Sequence, residues 1–510
     1  MQSHMHGVPA PFDLHDGIVY FHDWRYVSHG GYGWQDTEGQ YVPMFGTGPH
    51  ERMVYSPQDT PFGIELVARP AEKTGPVVEA ESFDDLFIYG GSLIHDEGIY
   101  RLWVEGWATS QLGQPRGDIY NHLRYLESDD GMSWRAPALD LLEPAGKGPN
   151  NLVYGYPLNA RFGSHGIGIF KDPAGPAAER YKLLGLGWIG KEDRDAYLQK
   201  RPDAVDPISL GEESAHGIVG AVSPDGLHWT ALPEPLLLQN SDTHNVCEYD
   251  PVRGAYVAYV RTWFFMRRTI GRTESADFRR FPLPEETLWP GPSMAPYDLW
   301  YVNAKTKMPG TRDYHLMFPM RWRLTNDEFS FHLASSPDNV VWSLLPGDPV
   351  CGPGAPGAWD GGTTAPGLGL VQLPGDRIGL LYCGTRTPHK HPRRVPYGKL
   401  GWAVWPKGRL VALRAAEYGE FRLQPLRVKG RTARLNFTAS IGGLVQVEVI
   451  GADGAPVPGR SFADCDPLTG DEPDREVTWR GQPHLGILDD QPVELRFRLR
   501  SAELYAVRFV

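Results

Sequence analysis

Apolar and polar positions alternate in short runs over most of the chain, and the runs recur in a fixed order. A hairpin comes first, in which two strands with alternating apolar positions flank a turn rich in Asp, Gly and Pro. It reads GGSLIHDEGIYRLWVEGW at 90–107, HGIGIFKDPAGPAAERYKLLGLGW at 165–188 and NVCEYDPVRGAYVAYVRTW at 245–263. Two further copies read LWYVNAKTKMPGTRDYHLMFPMRW at 299–322 and APGLGLVQLPGDRIGLLYCGTR at 365–386. A third strand follows each hairpin: HLRYLE, HGIVGAV, RTIGRT, FSFHLAS and KLGWAV. After three of these comes a Ser-x-Asp-Gly/Asn-x-x-Trp turn: SDDGMSW (128–134), SPDGLHW (223–229) and SPDNVVW (336–342). ESADFRRF (274–281) is a degenerate fourth copy, and WPKGRL (405–410) occupies the fifth place. In such a turn the Asp accepts backbone N–H bonds and the Trp packs over the reversal.

Five copies of a four-stranded unit predict an all-β chain with a five-bladed propeller over 79–420. Residues 421–510 have longer alternating strands and an ADG hairpin turn, and they predict a β-sandwich. Residues 1–78 read as an N-terminal extension packed on the propeller. The charged stretch 189–213 reads as a partly helical insertion in the second blade, of the kind that forms lids.

Composition agrees with many turns and many strand-forming aromatics: 59 Gly, 46 Pro, 16 Trp and 23 Tyr in 510 residues. A formal net charge of −12 and the absence of a dense basic run argue against nucleic acid. The short HKHPRR run at 389–394 reads as a solvated loop. Four dispersed cysteines without a CxxC pair read as buried thiols of a reducing, cytoplasmic compartment. No run is long and apolar enough for a membrane helix, and the N-terminus lacks a signal-peptide pattern, which leaves open a leader already removed. The sandwich offers a surface for homo-oligomers.

Propeller geometry brings the starts of the first strands, the ends of the second and the starts of the third to one face. The first strands deliver Asp84 and Asp85, Ser164 and His165, Asp242 and His244, Asp298 and Asp360. The second strands deliver Glu105 and Trp107, Trp188, Arg261 and Trp263, Arg321 and Trp322, and Arg386; the third deliver Arg124, Glu213 and His216. Acids, imidazoles, guanidiniums and indoles on one face suit a sugar. Glycoside cleavage needs a proton donor and a second carboxylate, indoles cover the C–H faces of the ring, and polar groups bind its hydroxyls. The aspartates of the Ser-x-Asp turns, Asp130, Asp225 and Asp338, read as structural.

The SPDGLHW-type strings, the first strands ending in FKDP and CEYDP, and the sandwich after the propeller resemble the five-bladed glycoside hydrolases. Those are the invertase/levanase and arabinanase/xylosidase families; strings such as SDTHNVCEYDP and FADCDPLTGD also resemble a bacterial group of the same layout. The resemblance implies three acids at the starts of the first three inner strands. Asp84 or Asp85 matches the first and Asp242 the third, with Glu248 further along its strand. The second place holds Ser164 and His165 instead of an acid, and the string WMNDPNG is absent.

The expectation is a glycosidase, exo-acting on furanosides or small oligosaccharides. Asp84 is its nucleophile or base, Glu213 or Asp242 its acid, and His165 and His244 further catalytic groups. Asp85, Glu105, Trp107, Arg124, Trp188, His216, Arg261, Trp263, Asp298, Arg321, Asp360 and Arg386 hold substrate. Two alternatives stand beside it: a lyase or unusual glycosidase working through His and Arg, and a non-catalytic sugar-binding propeller. No cofactor is expected, and a structural calcium in the channel is compatible with the acids without being demanded by their spacing.

Overall fold

The Ser-x-Asp turns form as their chemistry dictates. In the first, Ser128 Oγ accepts the Gly131 N–H and Asp130 Oδ1 accepts those of Met132 and Ser133, at 2.7–2.8 Å. Ser223 with Asp225 repeats this pattern, and Asp338 Oδ1 accepts the Val340 and Val341 N–H groups. Each turn is also gripped by the preceding blade. Trp402 Nε1 donates to the Gly131 carbonyl (2.9 Å), Trp103 Nε1 to that of Gly226 (2.7 Å), and Tyr259 OH to that of Asn339 (2.9 Å). A motif that looks like a local reversal is therefore a fastener between blades.

The computed structural model describes residues 11–29, 31–35, 41–42, 54–58, 60–108, 121–142, 149–391, 397–451, 454–487 and 491–510. The N-terminal residues read for a leader, two residues of the ADG turn and the end of the HKHPRR run lie outside them. The chain is all-β, a five-bladed propeller followed by a C-terminal sandwich. Blade one is Ser92–Asp96, Ile99–Ala108, Asn121–Ser128 and Leu152–Gly155. Blade two is His165–Lys171, Tyr181–Gly190, Ser214–Ser223 and Thr230–Ala231, and blade three is Val246–Asp250, Ala255–Phe264, Arg267–Ser275 and Glu285–Leu288. Blade four is broken lengthwise into two small sheets. Hydrogen bonds between inner strands run round the ring: Ile169 N to Ser92 Oγ, Asn245 N to Gly166 O, Asn303 Nδ2 to His244 O and Leu370 N to Thr306 Oγ1. The bond from Leu93 N to Leu368 O closes it (2.8 Å).

Blade five takes its outer strand from the other end of the chain. Glu72–Lys73 and Val78–Glu79 both pair with Lys399–Pro406. The segment expected to be an extension thus completes the propeller. Lys73 carries this join inward, with its Nζ 2.7 Å from Asp360. Val411–Arg422, expected in the propeller, pairs instead with Glu494–Phe509 and Glu65–Ala68 in the six-stranded sheet of the C-terminal unit. Ile18–Tyr20 adds to that sheet as well. Apolar cores under both units merge into one cluster, so burial holds them together. The insertion is helical over Lys191–Lys200 and seats Tyr197 against Ile189, Ala215 and Leu238 of blade two and its flank. No described residue of 191–213 lines the cavity discussed next. No helix among the described residues is long and apolar enough to cross a membrane.

Candidate active site

The face that collects the strand ends carries a cavity of about 920 Å³. His165 stands in its wall at the start of the inner strand of blade two. A bulge there shifts the register between His165 and Gly168. Gly166 adopts φ +62°, and a Cβ would lie 2.0 Å from the Thr243 carbonyl oxygen, so only glycine fits. The same bend points the Gly166 N–H at Glu105 Oε2, 2.7 Å away.

Glu105 is the buried hub of this corner. Its Oε1 takes His165 Nδ1 at 2.7 Å, Trp107 Nε1 at 2.8 Å and Asn121 Nδ2 at 3.2 Å. Burial pushes the carboxyl up, but the His165 charge and the hydrogen bonds from His165, Trp107 and Gly166 outweigh it and hold it below its ordinary value. Glu105 is therefore a carboxylate at neutral pH. A carboxylate only accepts, so His165 Nδ1 carries the hydrogen and Nε2 is left for the cavity. Trp107, Trp188 and His216 stand in the same wall, Trp188 43% exposed and 5.0 Å from the His216 ring.

Blade three supplies the other polar corner. Asp242 lines the cavity and is ion-paired with Arg261, with Arg268 3.8 Å away. Arg261 is buried and also binds the carbonyl and side chain of Asn240 (3.1 Å each). Burial and the neighbouring Arg268 pull the Arg261 guanidinium down to about 9. Both guanidiniums lie over the Trp263 ring, 5.3 and 5.5 Å from its centroid. Behind His165, the Tyr89 ring lies tilted against that of His244 with centroids 4.3 Å apart. His244 is wholly buried, and burial brings its imidazole down to about 3. It is neutral, and it backs the wall without lining the cavity.

Several expected site residues are elsewhere. Asp84 ends the short 3-10 turn Ala80–Phe83 in a left-handed conformation (φ 55°) with its side chain exposed, outside the cavity lining. Asp85 is buried in the blade, where His122 (2.9 Å) and Arg124 (2.5 Å) hold its carboxyl low against desolvation. Arg124 thus serves a carboxylate inside the protein. Glu213 is solvated on the insertion and pairs with Lys191. Asp298 is buried against Arg323 (3.3 Å) and Arg321 (4.0 Å), and Asp360 against Lys73 and the Tyr382 hydroxyl (2.9 Å). Arg386 is exposed and donates to the Gly357 carbonyl. For Asp85, Glu213, Asp298 and Asp360, a partner that strand order alone does not reveal captures the charge.

Other lining residues escaped the sequence reading. Tyr89 precedes the inner strand of blade one, and Tyr301 lies in the inner strand of blade four, Asp298–Val302. His389, Lys390 and His391 belong to the run read as a solvated loop, which instead forms part of the wall. The available signal was its place, immediately after the second strand of blade five. Glu248, Asp250 and His315 bring ligand atoms within 4.8 Å of one another. Lys305 already lies on Glu248, and Asn339 Nδ2 donates to both carboxylates, so those oxygens are engaged by the protein's own donors.

No family model matches the chain, and no curated protein does. Solved structures are similar to it at low identity. A thermostable family-43 glycoside hydrolase is 12% identical, with a TM-score of 0.38 over 64% of this chain and 93% of that one. A Bombyx mori GH32 beta-fructofuranosidase is 10% identical, with a TM-score of 0.42 over 85% and 94%. The beta-1,2-mannobiose phosphorylase from Listeria innocua is 12% identical, with a TM-score of 0.41 over 62% and 89%.

Proposed function

We propose that the protein is a carbohydrate-active enzyme that cleaves glycosidic bonds in the propeller cavity, with small oligosaccharides as substrates. The observation that carries this is the Glu105–His165 pair opening onto a cavity walled by Trp107 and Trp188. The carboxylate fixes the imidazole tautomer and stabilises the imidazolium, leaving Nε2 to move a proton to or from a bound sugar. Asp242, in the same cavity, is the carboxylate for the second role in hydrolysis, as nucleophile or as base toward water. The indoles seat the sugar ring.

Elimination is the second reading. It is favoured by the wall itself, in which Asp242 is the one carboxylate among the described lining residues. There His165 would take the proton beside a uronate carboxylate held by arginine. The test is a panel of chromogenic glycosides and oligosaccharides with His165→Ala, Glu105→Gln and Asp242→Asn. Hydrolysis lost in all three folded variants supports the first reading. A product with the ultraviolet absorbance of an unsaturated uronide establishes the second. Binding without turnover by the native protein rejects both.

A further inference from the structure

The His165 and Asp242 corners of the cavity come from successive blades, and one buried side chain joins their backbones. Asn245 is fully buried at the entry to blade three and does not line the cavity. Its Nδ2 donates to three carbonyls: Thr243 (2.9 Å), Gly166 (3.1 Å) and Ser241 (3.2 Å). Its Oδ1 accepts the Ser241 hydroxyl at 2.6 Å. The backbone N–H of Asn245 makes a second bond to the Gly166 carbonyl, at 2.9 Å.

The places of these partners give the contact its meaning. Ser241 and Thr243 flank Asp242 in the chain, and the Asp242 carbonyl between them accepts the Tyr89 hydroxyl at 3.3 Å. Three successive carbonyls are thus held from the interior, which fixes the backbone from which the Asp242 carboxylate projects. Ser241 Oγ also accepts the N–H of Arg261, the residue ion-paired with that carboxylate. At the other end, Gly166 follows His165, and its own N–H is on Glu105, the carboxylate that orients the imidazole. The chemistry needs an amide. It carries two N–H donors and an acceptor on one small plane, whereas a carboxylate would set a charge against three carbonyl oxygens and an alkyl group would leave them unpaired in the interior.

We propose that Asn245 is a positioning residue, which acts through the backbone on both sides of Asp242 to hold that carboxylate in place relative to His165. The inference rests on the reading of Asp242 and His165 as the groups that act on the sugar, and it adds the residue that sets their spacing. Spacing matters because misplacing a reacting group by about 1 Å can cost on the order of 10²-fold in rate.

The test is a double-mutant cycle in the full chain, on the chromogenic glycoside of the panel above that the native protein turns over fastest. Asn245→Ala should lower kcat by roughly 10–10²-fold with KM within about threefold, since the indoles that seat the sugar stand on blades one and two. In an Asp242→Asn background the same change should lower the residual turnover by less than about twofold, because the group it positions is already disabled. A merely structural role would cost the same in both backgrounds. Equal losses therefore overturn the inference, as does native kcat in Asn245→Ala. Should Asn245→Ala not fold, Ser241→Ala carries the cycle: it removes the hydroxyl that joins Asn245 to the Arg261 N–H, and it should show the same loss with the same non-additivity. A large loss in Asp242→Asn together with equal Asn245 effects in both backgrounds rejects the positioning role alone. Native turnover in Asp242→Asn rejects the role of that carboxylate and the inference with it, and a native protein that turns over no member of the panel rejects both.

Discussion

Glu105 and Asp85 are both buried carboxylates in blade one, yet they do different things. Asp85 spends its charge on His122 and Arg124 inside the blade, while Glu105 passes its own to an imidazole in the cavity wall. His165→Ala should therefore lower turnover by roughly 10²–10⁴-fold. Asp84→Asn and Glu213→Gln should stay within about twofold of the native rate, because both side chains are exposed and outside the cavity lining. Steady-state kinetics on the best substrate checks all three. Burial also decides the pH response. His22 and His244 are wholly buried, and desolvation takes each from 6.5 to about 3. Below pH 6.5 the unfolded chain takes up protons that these folded imidazoles refuse, so stability falls as pH falls from 6.5 toward 3. At pH 5 the loss is about 2 kcal/mol per histidine. His22→Phe keeps a ring beside Tyr20 and Tyr314. It should flatten the decline in urea-unfolding free energy between pH 7 and pH 5.

The Ser-x-Asp turn is the element whose role grew most. Its sequence predicts a tight reversal, and Asp225 Oδ1 indeed accepts two N–H bonds at 2.9 Å. What the string does not announce is the Trp103 indole of the preceding blade on Gly226. A Cβ at Gly226 would lie 2.6 Å from that ring, at a φ of +79°. Gly226→Ala should thus cost roughly 2–4 kcal/mol, the sum of a left-handed backbone penalty and overpacking. Chemical denaturation measures it, and a cost below 1 kcal/mol would show that the blades do not meet through this turn. The insertion 189–213 teaches the converse. Its length and place in the blade suggested a lid, but Arg194 and Arg201 tie it to backbone carbonyls, and its helix packs beside blade two.

At the scale of the whole molecule, residues 72–79 close the ring by pairing with 399–406. This join of chain ends gives the propeller long-range closure that no single blade provides. Asp360→Ala removes the partner of Lys73 and of the Tyr382 hydroxyl. It should lower stability by about 3–5 kcal/mol, read as a fall in the thermal midpoint. Because blade five also contributes His389–His391 to the cavity, ligand affinity should fall in the same variant. Full affinity at reduced stability would separate closure from the site.

The blades were legible in the sequence because alternation and turn chemistry are local: a strand of period two and an Asp-Gly reversal show in neighbouring residues. The face of the site was legible for the same reason, since strand order alone assigns His165, Trp107, Trp188 and Asp242 to one end. The choice among acids was not. Whether Asp84, Asp85, Glu105 or Asp360 meets solvent, a buried cation or an imidazole in the cavity wall depends on residues tens or hundreds of positions away. Sequence by itself determined a five-bladed β architecture with chemistry at one mouth. Tertiary structure decided which charges are paired inside the blades and which remain to face a ligand, because pairing energies depend on distance and burial and not on order along the chain.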